Sequence, residues 1–176
     1  MKLSAIQVGE MGILRGRVVL SNIANIIDGE KLEQENQKAV SSGRYPSKKP
    51  YSFITIEHPE IICDCPKLKA YLEQKCYSGK GGNLLRFTAK SPFAPSVGHL
   101  DKASGHVQEI VLERELASGV EVQLLVGVYH SKRNKVNGLG LNNVTILDPE
   151  IRYLASGTIR SMLETVGMVW VPMRKR

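Results

Sequence analysis

The chain has 176 residues, 42% hydrophobic and 23% charged, and Lys and Arg outnumber Asp and Glu 24 to 17 for a net charge of +7. Three cysteines are too few and too odd for a disulfide framework, no apolar run approaches the roughly 18 residues of a membrane span, and Gln7, Glu10 and Arg15 interrupt the opening stretch as no signal peptide would. The expectation is a soluble, cytoplasmic protein without a membrane partner, whose charge favours a polyanion because neutralising phosphates releases counterions.

Ile13–Leu20 reads as a first strand, with Arg15, Arg17 and Val19 on one face. Residues 29–42 are polar, helix-tolerant and weakly periodic, and lead into a Gly/Pro/Ser-rich loop over 41–50. Tyr51–Glu57 is a strand by its β-branched and aromatic content; Ile54 and Ile56 share one face, Tyr51, Phe53 and Thr55 the other. Asp64 or Cys65 is placed to cap a helix with Pro66 in its first turn and Leu68, Leu72 and Cys76, with Tyr71, as its apolar stripe. Gly79, Gly81 and Gly82 are expected to end it.

Leu84–Lys90 follows as a strand with Leu85 and Phe87 on one face and Arg86, Thr88 and Lys90 on the other. Residues 91–105 read as a long loop. Val107–Glu113 and Val120–Ser131 read as an antiparallel pair about a turn at Ala117–Gly119, with Val120, Val122, Leu124, Val126 and Val128 lining one face. Residues 139–147 complete a hairpin for which Asn137-Gly138 is the turn signal. At the end, Thr158 is placed to cap a helix with Ile159, Met162, Leu163 and Val166 on one stripe and Gly167 as its stop, and MVWVP follows as a short strand.

Short strands without βαβ alternation predict a mainly β fold: a five-stranded OB-fold-like barrel with a helix between early strands and a C-terminal helix/strand extension. A β-sandwich competes. Residues 1–150 form the barrel domain on this reading, and 151–176 are either a packing element or an oligomerisation arm.

The positive charge is grouped. Arg44, Lys48 and Lys49 lie in one acid-free segment, Lys80, Arg86 and Lys90 in a second, and Lys132, Arg133 and Lys135 in a third. Tyr51 and Phe53 directly follow the first, Phe93 adjoins the second, and Tyr129 and His130 lead into the third. Single-strand binding needs cations that track the backbone and flat rings on which unpaired bases stack. Core burial is the competing role for each ring, and it is the expected one for Phe87. Nothing resembles a recognition helix, which favours single strands over duplex.

Other chemistries are less well provided. His58, Cys63, Cys65 and Cys76 offer a zinc-compatible donor set, H-x4-C-x-C-x10-C, but not at the spacing of a finger or knuckle, and Cys76 also fits the apolar stripe. No metal and no cofactor is the reading adopted. GLGLNN lacks the third glycine and following helix of a dinucleotide turn, and GKGG has no Ser/Thr after it. Glu109, Glu113, Glu121, Asp148 and Glu150 could hold Mg²⁺ for a nuclease, but acids at strand ends are usually solvated, so no enzyme is expected.

The order of FTAKSPFAPSVGHLD, a strand, a Gly-containing turn, a valine-rich strand ending in VYHSKRNKVNG, and GLGLNNVTIL resembles the phage single-stranded DNA-binding proteins of the oligonucleotide-binding-barrel type, including the podovirus replication group. YSFITIE followed by PKLKAYLEQ fits the same layout, so the resemblance spans roughly residues 10–150. It implies a basic loop after Tyr129 ahead of a glycine-led last strand, and a host-cytoplasm location if the protein is viral. Many such proteins end in an acidic tail that recruits partners; VPMRKR is basic, so that route to replication or recombination proteins is not implied.

The expected function is sequence-independent single-stranded DNA binding in replication, recombination or annealing. Its expected contacts are Lys48, Lys49, Tyr51, Phe53, Arg86, Lys90, Phe93, Tyr129, His130, Lys132, Arg133 and Lys135. A homo-oligomer through the C-terminal segment, the alternative to a packing role for it, and replication or recombination proteins are the further partners considered. A virion-type structural or adaptor protein and a nuclease are the alternatives.

Overall fold

A computed structural model describes residues 2–47, 49–79, 84–132 and 135–154. The expected C-terminal helix and strand, and most of the 151–176 extension, lie outside the described residues.

Among the described residues, eight strands form one sheet in the order β3-β4-β2-β1-β7-β8-β5-β6. They are β1 (Met11–Ile27), β2 (Tyr51–Ile62), β3 (Tyr77–Ser78), β4 (Leu85–Ser91), β5 (Ser96–Asp101), β6 (His106–Ile110), β7 (Glu121–Ser131) and β8 (Val136–Ile146), with helices α1 (Gly29–Ser41) and α2 (Pro66–Lys75). β1 pairs antiparallel with both β2 and β7, β2 with β4, and β7 with β8. Four antiparallel steps therefore make β4 and β8, the two ends of this curled five-stranded run, parallel to each other. They approach across a seam without a ladder between them in the described residues. The result is a mainly β, OB-like barrel left open along one side, with α2 between its early strands.

Alternation drives the closure. Ile54 and Ile56 of β2, Phe87 and Ala89 of β4, Val122, Leu124 and Val126 of β7, and Leu141 and Val144 of β8 all turn inward and are buried. Leu14 and Val18 of β1 join them, and α2 adds Leu68 and Leu72. Each such side chain contributes about 1.5–3 kcal/mol on leaving water. The valine face of β7 and the isoleucine face of β2 thus point to the core as their spacing predicts.

Several elements differ from the sequence expectation. β1 and β2 run further than the strands predicted for them, because bulges let them bend around the barrel; one bulge holds His58 at φ 52°. The helix ends at Lys75, before the glycines, and Tyr77–Ser78 turns back as β3 to pair with β4. Residues 91–105 are not one loop: β5 lies within them and pairs in parallel with β8 from Ser96↔Asn143 onward. β6 pairs with β5 and not with β7, so the expected hairpin about Ala117–Gly119 does not form. Asn137 and Gly138 lie inside β8, opposite His130 and Tyr129. The turn comes earlier, with Lys135 left-handed at φ 53°, because the Asn137 amide is committed to donating to the carbonyls of Leu3 and Ile6.

One tie has no sequence signature. The Glu115 carboxylate accepts from the backbone N–H groups of Ile23 (2.7 Å), Ala24 (3.0 Å) and Asn25 (3.3 Å), and from the Ser21 hydroxyl (3.5 Å). It pins the segment ahead of β7 to the far end of β1, where the β1–β2 register shifts and ladder partners are missing.

Candidate nucleic-acid interface

With the isoleucines of β2 inside, its odd-numbered residues face outward. Tyr51 and Phe53 are half-buried, with ring centroids 6.2 Å apart. Phe53 is the register partner of Lys90, whose Nζ stands 5.1 Å from the centre of the Tyr51 ring. That distance is within cation–π range. Ser52 points the other way, and its hydroxyl donates to the Phe93 carbonyl at 2.6 Å. This holds Phe93 at the same end of β2 with its ring 73% exposed. Lys49 is exposed two residues before Tyr51. Strand register and one buried serine therefore gather Lys49, Tyr51, Phe53, Lys90 and Phe93.

Two cations here lie outside the set of contacts expected from the sequence. Burial and then the Glu35 carboxylate raise the pKa of the Tyr51 phenol, and Arg44, acting from the loop, lowers it by less, so the net shift is upward. Lys31 of α1 donates to Asn22, the β1 residue opposite Phe53. Arg44 was visible as part of a basic segment, whereas Lys31 sits among acids and gives no signal. The loop carrying Arg44 is tied to α1 by Asn36, which exchanges hydrogen bonds with Ser47 at 2.8 Å each way.

A second group forms at the β7–β8 hairpin. The Tyr129 ring, 43% exposed, lies against Gly138 and Gly140 on the outer face of β8; a Cβ on Gly138 would come 2.5 Å from its Cζ. His130, Lys132 and Lys135 are exposed beside it, and His130 Nδ1 is 3.0 Å from Asn137 Oδ1.

Arg86 joins neither group. It sits at the opposite end of β4 from Lys90, opposite Glu57 and Tyr77. Four residues of strand put it roughly 13 Å from Lys90. Its Nε is buried without a hydrogen-bond partner among the described residues. Lys48 and Arg133 lie outside the described residues.

Between the two groups runs the seam. A groove of about 340 Å³ opens between β4 and β8. Phe87, Val126 and Leu141 form its floor, and Tyr71, Lys75, Tyr77 and Lys90 stand on one side with Gly140 on the other. Lys90 thus belongs to both the first group and the groove, and Gly140 to both the groove and the seat of Tyr129. The Tyr77 hydroxyl shares a 2.9 Å hydrogen bond with Thr88, which shares one of 2.8 Å with Thr55, so the outer face between groove and β2 is a connected polar row. The seam was invisible in the sequence because it depends on two strands some fifty residues apart.

The zinc-compatible set is not assembled. No group of three or more metal-ligating residues occurs among the described residues. Cys63 Sγ lies 3.5 Å from the carbonyls of Met11 and Cys65, and Cys76 Sγ lies 3.4 Å from that of Leu72. Burial pushes both thiols above their usual range, which favours S–H over thiolate. Asp148, one of the acids considered for a nuclease, accepts from the Glu121 backbone N–H at 3.1 Å.

No protein-family description and no curated protein matches this chain. No described helix is long and apolar enough to cross a membrane. Among solved structures, the chain is similar to a C-terminally truncated single-stranded DNA-binding protein from bacteriophage Enc34, with 14% identity over 86% of this chain and 97% of that one at a TM-score of 0.46. It is similar to the same phage protein in complex with single-stranded DNA, with 14% identity over 81% of this chain and 89% of that one at a TM-score of 0.46. It is also similar to a further structure of that protein, with 12% identity over 89% and 90% of the two chains at a TM-score of 0.46.

Proposed function

We propose that this chain binds single-stranded DNA with little regard to sequence and acts in replication, recombination or annealing by binding rather than by catalysis. The observation that carries this is the outer face of β2 and β4: two half-exposed rings 6.2 Å apart, a lysine over one of them, and a third ring 73% exposed at their end. Rings held in this way offer π faces to any base, and each stacked base is worth about 1–3 kcal/mol. Cations alongside, Lys31, Arg44, Lys49 and Lys90 here and Lys132 and Lys135 at the hairpin, suit a phosphate backbone. Stacking requires unpaired bases, which a duplex does not supply.

The test is titration of a fluorescent oligo(dT) and an equal-length duplex across a salt series. With four to six phosphates neutralised, log affinity for the single strand falls with log salt at a slope of about −3 to −4. Equal or tighter binding to duplex, or affinity indifferent to salt, contradicts the proposal.

A further inference from the structure

We propose that the groove along the open seam between β4 and β8 seats one unpaired nucleobase of the bound strand, with Lys75 and Lys90 meeting the phosphates on either side of it. This rests on the function proposed above and names a contact that function does not require.

The groove, about 340 Å³, falls within the range of small-molecule sites. Its floor is apolar, two tyrosines stand at its side, and no acid lines it among the described residues. Tyr77 is 44% exposed and is oriented by its hydrogen bond to Thr88, while Lys75 Nζ stands 5.3 Å from the centre of the Tyr71 ring. An aliphatic ligand would leave both lysines without a purpose, and a free phosphate would leave the floor without one; a base flanked by phosphates uses both.

Strand edges add to the fit. β8 pairs with β5 only from Asn143 onward, and no ladder joins β4 to β8 among the described residues. Backbone donors and acceptors therefore border the groove without strand partners, and a base edge presents complementary ones. Position supplies the last element. Lys90 is shared with the Tyr51–Phe53 face, and Gly140 lies beneath Tyr129. A strand passing from one ring group to the other crosses the groove.

The experiment is photo-cross-linking of the full chain to oligo(dT) carrying 5-iodouracil, with adducts mapped by mass spectrometry. Adducts on Tyr71 or Tyr77 are expected. Cross-links confined to Tyr51, Phe53 or Tyr129 overturn the groove and leave the wider interface standing; absence of any bound oligonucleotide overturns both. In parallel, Tyr77→Ala should raise Kd roughly 5- to 150-fold, and Tyr77→Phe, which keeps the ring, should restore most of that. An unchanged Kd in Tyr77→Ala overturns the groove as well.

Discussion

Gly138→Ala displaces a proposed stacking ring without deleting it. Gly138 and Tyr129 face each other across the β7–β8 ladder, and a Cβ on Gly138 would lie 2.5 Å from Tyr129 Cζ and 2.6 Å from its hydroxyl oxygen. Neither distance is tolerable, so the ring must swing off the strand. Its burial there is partial, since Tyr129 is 43% exposed. Losing some 50–100 Å² of contact costs about 1–2 kcal/mol of stability. Replacing a strand glycine with alanine returns about 0.4–1 kcal/mol through the unfolded chain. The net change is within about 1.5 kcal/mol, or a few degrees in Tm. The loss in oligonucleotide binding is about 1–3 kcal/mol, some 5- to 150-fold in Kd, if the seated ring stacks on a base. Tyr129→Ala should lose as much, and the double variant no more than either single one, because both remove the same contact. Fluorescence anisotropy with oligo(dT) and a thermal melt read the two quantities separately. Undiminished binding in Gly138→Ala, or a Tyr129→Ala variant that loses thermal stability alone, refutes the reasoning.

Other positions separate fold from function. Glu115→Ala leaves the backbone N–H groups of Ile23, Ala24 and Asn25 without their acceptor; the Ile23 and Ala24 contacts are part-buried and that of Asn25 is exposed, so the cost is about 2–3 kcal/mol, and melting should fall by about 4–12 °C with oligonucleotide affinity unchanged at temperatures where the variant is folded. Lys90→Ala should weaken binding and make the salt slope shallower by about 0.7, one phosphate contact, as read from affinity at several salt concentrations. Cys63 and Cys76 should alkylate more slowly than free cysteine at pH 8, because burial raises both thiols. The raised folded-state pKa means that the stability these thiols contribute is complete below the usual thiol range near 8.5 and is lost as pH rises through their folded values, which denaturant melts at pH 7 and pH 10 compare against a Cys63→Ala/Cys76→Ala variant.

Legibility followed locality. The β2 alternation of Ile54 and Ile56 against Tyr51 and Phe53 and the valine face of β7 could be seen because period-two patterning is written within one strand. β5 could not: it is short, carries Gly98, and owes its existence to a parallel partner far along the chain. Asn137-Gly138 misled because the Asn137 side chain serves the N-terminal segment instead of a turn. In the interface, Tyr51, Phe53 and Lys90 were legible as outward residues of adjacent strands, whereas Arg86 was grouped with Lys90 on the strength of a shared face, at the opposite end of the strand. The seam groove with Tyr71, Lys75 and Tyr77 arises from tertiary closure and has no local signature.

The central claim is that an unpaired strand lies on the outer faces of β2, β4 and the β7–β8 hairpin. Backbone amide NMR of the labelled protein titrated with oligo(dT) tests it most directly. Shifts concentrated around Tyr51, Phe53, Lys90 and Tyr129, with the Arg15 and Arg17 face of β1 unmoved, are the result predicted; shifts spread evenly over the surface, or centred on the β1 arginines, contradict it.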